Sequence, residues 1–154
     1  MGERTPHLDA SARGGWIGLT AKHTRADLIR ALIEGVAYSQ KDGLDLVTAL
    51  GVNVRSIRVS GGGARSRFWR QILADAFGKP VVTVASPEGA ALGAAILAMV
   101  ATGEYSSVPE ACGAIIRDQE TLEPRTEEAK IYAHGHAVYR SLYPALKPLF
   151  PAMT

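Results

Sequence analysis

Ile57-Arg58-Val59-Ser60-Gly61-Gly62-Gly63-Ala64-Arg65-Ser66 joins a β-rich run to a helix cap through three consecutive glycines. Ile57 to Ser60 predicts a short strand. Ser66 predicts the cap of a helix whose buried stripe is Phe68, Trp69, Ile72, Leu73, Ala76 and Phe77. Glycine has no Cβ, so the backbone at such a bend can approach a ligand closely. The amides opening the following helix carry partial positive charge. In open α/β sheets, ligands gather at the carboxyl ends of strands, where this bend would lie. The run therefore predicts an α/β domain with an anion or nucleotide site. A tight strand-to-helix turn that binds nothing is the competing reading.

Working outward, Gly78 and Pro80 stop that helix, and Val81 to Val84 predicts a second buried strand. Glu88 begins a third helix, Gly89 to Ala101, rich in Gly and Ala and ending near Gly103. Such small side chains permit close backbone approach. Ser107 and Pro109 start a short helix through Ile115. Thr126, Glu127 and Glu128 start a long one with Tyr132, Tyr139, Leu142 and Leu146 inside, broken by Pro144 or Pro148. On the other side, Thr24 and Asp27 form a variant capping box. Behind it Ile29, Ile33, Val36, Leu44 and Val47 recur at helical spacing, widened by Leu28 and Leu32, up to Gly51. Trp16 to Leu19 predicts a further strand, and residues 1–14 a loop. Alternating strands and helices predict a small α/β sheet flanked by helices. No linker divides the chain, so residues 1–154 read as one domain.

Composition narrows the function classes. Lys plus Arg is 17 and Asp plus Glu is 15, a net charge of +2, which does not announce a nucleic-acid or membrane surface. With 47% hydrophobic and 21% charged residues, the chain reads as a soluble globular domain. The single cysteine, Cys112, forbids an internal disulfide framework and a multi-Cys zinc site. His7, His23, His134 and His136 have no Cys partner at ligand spacing, so no metal site is expected. The first ten residues carry no apolar signal core, and Gly89 to Thr102 is shorter than the roughly 20 residues a membrane span needs. A cytoplasmic location is the default expectation.

The glycine run fails the P-loop pattern, since no Lys follows it. It meets the dinucleotide-binding pattern only in part: Gly61 and Gly63 fit, but Ser66 stands in the third place. Glu88 lies beyond Ala85-Ser86-Pro87 and not at the strand end where a ribose-binding acid is expected. Ser60 has no evident base. Glu127-Glu128 and Asp42 with Asp45 read as exposed, solvated carboxylates. Cys112 reads as a small buried hydrophobe and Trp69 as core. Arg65, Arg67 and Arg70 read as a solvated helix face, though a nearby anionic ligand would also suit them.

Several linked segments in order carry a resemblance over nearly the whole chain. They are Gly2-Glu3-Arg4-Thr5-Pro6-His7, Ala12-Arg13-Gly14 leading to Gly18-Leu19-Thr20, Arg30 to Tyr38, and Ser60 to Ser66. Trp69 to Asp75, Glu88 to Ala95, and Leu142 to Phe150 continue it. Together they resemble the C-terminal part of the FGGY family of sugar kinases. The resemblance implies an actin-like, ribonuclease-H-like ATPase domain, truncated at its N-terminal side. The sugar-binding domain, the phosphate loops and the catalytic aspartate of the family would lie upstream of Gly2. It implies that Gly62 and Ser66 lie closest to the adenosine of ATP, with Gly61, Gly63 and Ala64 shaping the wall. The reaction implied is Mg2+-dependent transfer of the ATP γ-phosphoryl group to a ketopentose hydroxyl. Neither Asp9, Asp27, Asp42 nor Asp75 matches the family's base motif, so this chain by itself is expected to lack turnover. Self-association, or pairing with an N-terminal kinase half, is expected from an unpaired sheet edge and exposed apolar surface. The alternatives are a dinucleotide-binding oxidoreductase domain and a non-catalytic actin-like interaction domain.

Overall fold

In the computed structural model of the protein, residues 2–86 and 89–153 are described. The expected helix start at Glu88 lies outside them. The chain forms two compact units: Met1–Val54, Asp75–Gly78 and Pro124–Thr154 make the first, Arg55–Ala74 and Lys79–Glu123 the second.

The first unit is built on two long helices, α1 (Arg25–Ala49) and α5 (Thr126–Leu146). α1 begins at the expected capping box. The Asp27 amide donates to Thr24 Oγ1 at 3.5 Å, and the Thr24 amide donates to the Asp27 carboxylate at 2.7 Å. That amide bond holds the Asp27 carboxyl below its ordinary pKa. α1 ends at Leu50, followed by Gly51 at φ +87°, a left-handed conformation that glycine adopts freely.

The apolar stripe of α1 is only partly covered, with Leu28, Ile33 and Leu44 half-buried. Ile29, Leu32, Val36 and Val47 are 48%, 57%, 46% and 41% exposed, while Ala37 and Asp42 are buried. Asp42 corrects the expectation of a solvated carboxylate: it is enclosed because His136 of α5 meets it. Asp45 fits the expectation better, being half-exposed and paired with Lys41.

α5 starts after Arg125, whose side chain does not cap it. The Arg125 amide, Nε and Nη2 instead donate to the fully buried Asp75 carboxylate at 2.8, 3.1 and 2.7 Å. Pro144 sits inside the last turn of α5 and cannot donate to the helix ladder. The α-helix gives way at Lys147–Met153 to a 3₁₀ stretch that buries Phe150. Trp16 to Leu19 is not a strand; Trp16 Nε1 donates to the Leu28 carbonyl at 3.1 Å across the start of α1. A segment held through one side chain has no need of a sheet partner.

The second unit carries a three-stranded sheet in the order β1 (Ile57–Val59), β2 (Val81–Val84), β3 (Asp118–Leu122). β1 and β2 run parallel with Ile57 opposite Val81, and β3 returns antiparallel with Leu122 opposite Val81. The other edge of β1 has no strand partner among the described residues. Around the sheet lie α2 (Arg67–Phe77), whose last turn belongs to the first unit, α3 (Gly89–Ala101) and α4 (Val108–Ile115). Ser66 and Ser107 cap α2 and α4 as expected: Ser66 Oγ accepts from the Trp69 amide, Ser107 Oγ from the Glu110 amide. The buried stripe of α2 is Ile72, Leu73, Ala76 and Phe77. Phe68, expected in it, is half-exposed because it belongs to the helix's opening turn.

Candidate functional site

The glycine bend leaves the carboxyl end of β1 as the sequence predicts. Gly61 has φ +80° and ψ −171°, a combination closed to side-chain-bearing residues. Gly62 to Arg65 then make one 3₁₀ turn, closed by amides of Ala64 and Ser66 donating to the carbonyls of Gly61 and Gly63 at 3.1 Å each. Gly61, Gly62, Gly63 and Ser66 are exposed and Ala64 half-buried. A methyl group added at Gly61 or Gly62 would meet no atom within 4 Å, so this backbone faces open space. At Gly63 it would sit 3.2 Å from the Trp69 ring, which backs the bend. Trp69 is thus a half-buried support for the turn.

Beside the bend lies a cleft of about 400 Å³ over the ends of the two parallel strands. Val59 and Ser60 from β1 and its exit, Val84 from β2, Leu92 and Ile96 from α3, and Cys112 from α4 line it. Its surface is mostly apolar. Ser60 reaches Gly89 at the start of α3, where an added Cβ would fall 2.6 Å from Ser60 Oγ. The close approach expected of the small-residue helix therefore occurs at Gly89, while Gly93 faces open space. Cys112 is half-buried.

The arginines beside the bend are mostly committed elsewhere. Arg70 is buried and donates to Glu120 of β3 at 2.7 Å, and Arg67 lies 3.4 Å from the same carboxylate. Arg70 holds the Glu120 carboxyl below its usual pKa. This corrects the expectation of a solvated trio; only Arg65 has no ion pair among the described residues. Arg58 forms a two-pronged bond across the sheet to Asp118 at 2.8 and 3.0 Å. β3 is thus the element that neutralises the basic side chains. Among the described residues no three His, Cys, Asp or Glu side chains converge to hold a metal ion.

The four aspartates near the expected motifs all have structural partners. Asp9 accepts from the Tyr143 hydroxyl, Asp27 serves the α1 cap, Asp42 takes His136 and Asp75 takes Arg125. The Asp42–His136 and Asp75–Arg125 pairs were missed by sequence reasoning, because each joins residues far apart in the chain.

Residues 1–102, which include the glycine bend and α3, match the C-terminal domain of the FGGY family of carbohydrate kinases. The chain belongs to that family. The FGGY match agrees with the actin-like α/β fold expected from the sequence. A xylulose kinase from Staphylococcus epidermidis is 40% identical over 148 residues, covering 96% of this chain and 30% of the relative. The crystal structure of a ligand-bound xylulose kinase from Lactobacillus acidophilus superposes with a TM-score of 0.90. It is 29% identical and is matched over 98% of this chain and 31% of its own. A gluconate kinase from the same organism superposes at 0.87 with 28% identity, over 96% of this chain and 30% of that one. The chain therefore spans about 30% of the length of these FGGY relatives. No helix of the described residues is long and apolar enough to cross a membrane.

Proposed function

We propose that this chain supplies the adenosine-binding part of an ATP-dependent sugar kinase, with D-xylulose as the acceptor and D-xylulose 5-phosphate as the product. The observation that carries the nucleotide assignment is the open backbone at Gly61 and Gly62, at the carboxyl end of a parallel strand in an FGGY domain. Gly62 and Ser66 line the riboside, and Gly61, Gly63 and Ala64 shape the wall. Ser66 Oγ already accepts from the Trp69 amide, and its proton and second lone pair remain for a ligand. The xylulose assignment rests on the xylulose kinases among the relatives.

Mg2+ accompanies ATP in this reading, supplying charge neutralisation on the phosphates. Among the described residues no cluster of three His, Cys, Asp or Glu side chains converges to hold it. None of Asp9, Asp27, Asp42 and Asp75 matches the family's base motif, and each already has a structural partner. Incubation with xylulose and MgATP, coupled to ADP detection, is expected to give no turnover by this chain alone; measurable turnover overturns that part.

The nucleotide part is tested by Gly62→Val. The added side chain points into open space, so folding is retained while binding of a fluorescent ATP analogue is lost. Unchanged analogue binding by a folded Gly62→Val protein overturns the adenosine assignment. The exposed stripe Ile29, Leu32 and Val36 and the edge of β1 that has no strand partner among the described residues support pairing with the remainder of a kinase chain or, failing that, self-association. Leu32→Lys is expected to shift sedimentation of the isolated chain toward monomer.

A further inference from the structure

The first unit contains a cavity of about 700 Å³ that the nucleotide reading does not use. Asp42 of α1, Arg140 and Tyr143 of α5, Lys147 just beyond it, and His7 of the N-terminal loop line it, with three prolines completing its walls. Asp42 is only 7% exposed, and its Oδ1 takes both His136 Nε2 at 2.9 Å and Arg140 Nε at 3.7 Å. Its charge is therefore answered from behind, and Oδ2 keeps acceptor capacity. Arg140 is 64% exposed and presents the rest of its guanidinium to the cavity side. Lys147 has no ion pair among the described residues; its ammonium rests 5.6 Å from the centre of the Tyr143 ring. His7 stacks on the same Tyr143 ring, centroids 3.5 Å apart and planes within 2°. Neither His7 ring nitrogen is hydrogen-bonded among the described residues. The nearby carboxylates are engaged: Glu3 accepts from the His7 amide and Asp9 from the Tyr143 hydroxyl, both at 2.8 Å.

Two permanent cations and an imidazole thus share a cavity with one carboxylate that is already paired. A guanidinium fork and an ammonium together suit a dianionic phosphate. The volume exceeds what a bare phosphate fills and falls in the range of small-metabolite sites. The carboxylate on α1 provides an acceptor for hydroxyl groups. We propose that this cavity binds the phosphate monoester of a small polyol, with the phosphate on Arg140 and Lys147, His7 at its rim, and a hydroxyl on Asp42. The assignment stands on the first unit alone and does not depend on the nucleotide reading.

The test is isothermal titration of the whole chain with ribose 5-phosphate, inorganic phosphate and ribose. Ribose 5-phosphate is expected to bind saturably and at least about tenfold tighter than either of the others. Lys147→Ala and Arg140→Ala are each expected to weaken it about tenfold or more. Lys147 is exposed and makes no ion pair among the described residues, so its variant keeps the wild-type melting temperature and carries the test even if Arg140→Ala loosens the Asp42 region. Absence of saturable binding below about 10 mM overturns the proposal. So does equal affinity for inorganic phosphate, or binding of ribose 5-phosphate untouched by Lys147→Ala.

Discussion

His136 Nε2 donates to Asp42 Oδ1 at 2.9 Å, and both side chains are more than nine-tenths enclosed between α1 and α5. The second ring nitrogen lies 3.9 Å from Asp45, and Tyr38 and Tyr139 flank the imidazole. Stranding one partner of a buried polar pair costs more than the pair itself contributes, because the remaining group keeps its desolvation penalty. Asp42→Ala is expected to lower unfolding free energy by about 3 kcal/mol in urea titrations. His136→Leu added to it is expected to cost less than the sum of the two single changes. Strict additivity would mean that the two groups do not interact.

Tyr132 gives this helix pair an alkaline limit. Its hydroxyl donates to Glu34 Oε1 at 2.8 Å and accepts from Arg30 Nη2 at 2.8 Å. Burial first, and the Glu34 bond second, push its pKa up to about 12. A phenol in the unfolded chain ionises near 10. Between these values the folded state holds a proton that the unfolded state has released, so stability falls as pH rises from about 10 to about 12. Below about 10 this contribution is fully present. Spectrophotometric titration should show one tyrosine ionising near the top of that window. Tyr132→Phe should flatten the fall in melting temperature over the same window; an unaltered slope would refute the assignment.

Gly135 of α5 lies directly against Tyr38 of α1, where an added Cβ would collide with the phenol oxygen. Alanine is favoured over glycine within a helix by about 1 kcal/mol, but overpacking costs about 1–3 kcal/mol. Gly135→Ala is therefore expected to be neutral or destabilising by up to about 2 kcal/mol. In a Tyr38→Leu background the same change should become stabilising by about 1 kcal/mol. The sign reversal, read by chemical denaturation, is the measurement that matters; no reversal would place Tyr38 elsewhere.

The elements most legible in the sequence were those with local punctuation. Thr24, Ser66 and Ser107 marked helix starts that the structure realises, and Gly51, Gly78 and Gly103 all take positive φ at the ends of α1, α2 and α3. β3 escaped notice because Asp118 to Glu120 and Thr121 are exposed and only Leu122 is buried, so the strand shows no apolar alternation. Its role is to answer Arg58, Arg67 and Arg70, a long-range charge match that no local pattern encodes. The α1 stripe misled for the opposite reason. Its periodicity is genuine, but within this chain the helix packs through Ala37, Tyr38 and Asp42 and leaves Ile29, Leu32 and Val36 exposed. The glycine bend was legible because a chain leaving a strand through three glycines has few other uses. The pairings of Asp9, Asp42 and Asp75 were not, since their partners lie dozens of residues away.

Within that bend, Gly61 and Gly62 have different physical reasons to lack a side chain, and stability separates them. Gly61 combines φ +80° with ψ −171°, where any Cβ strains the backbone. Gly62 has no positive φ and open space before it. Gly61→Ala is expected to lower unfolding free energy by about 1–3 kcal/mol, and Gly62→Ala by less than about 1 kcal/mol. Gly63→Ala falls between, because the Trp69 ring 3.2 Å away must shift by a few tenths of an ångström. Trp69 fluorescence reports that shift directly, with a changed emission maximum for Gly63→Ala and none for Gly62→Ala. Equal melting temperatures for the Gly61 and Gly62 variants would show that the bend does not hold Gly61 in its left-handed conformation. The open backbone on which the nucleotide assignment depends would then have another shape.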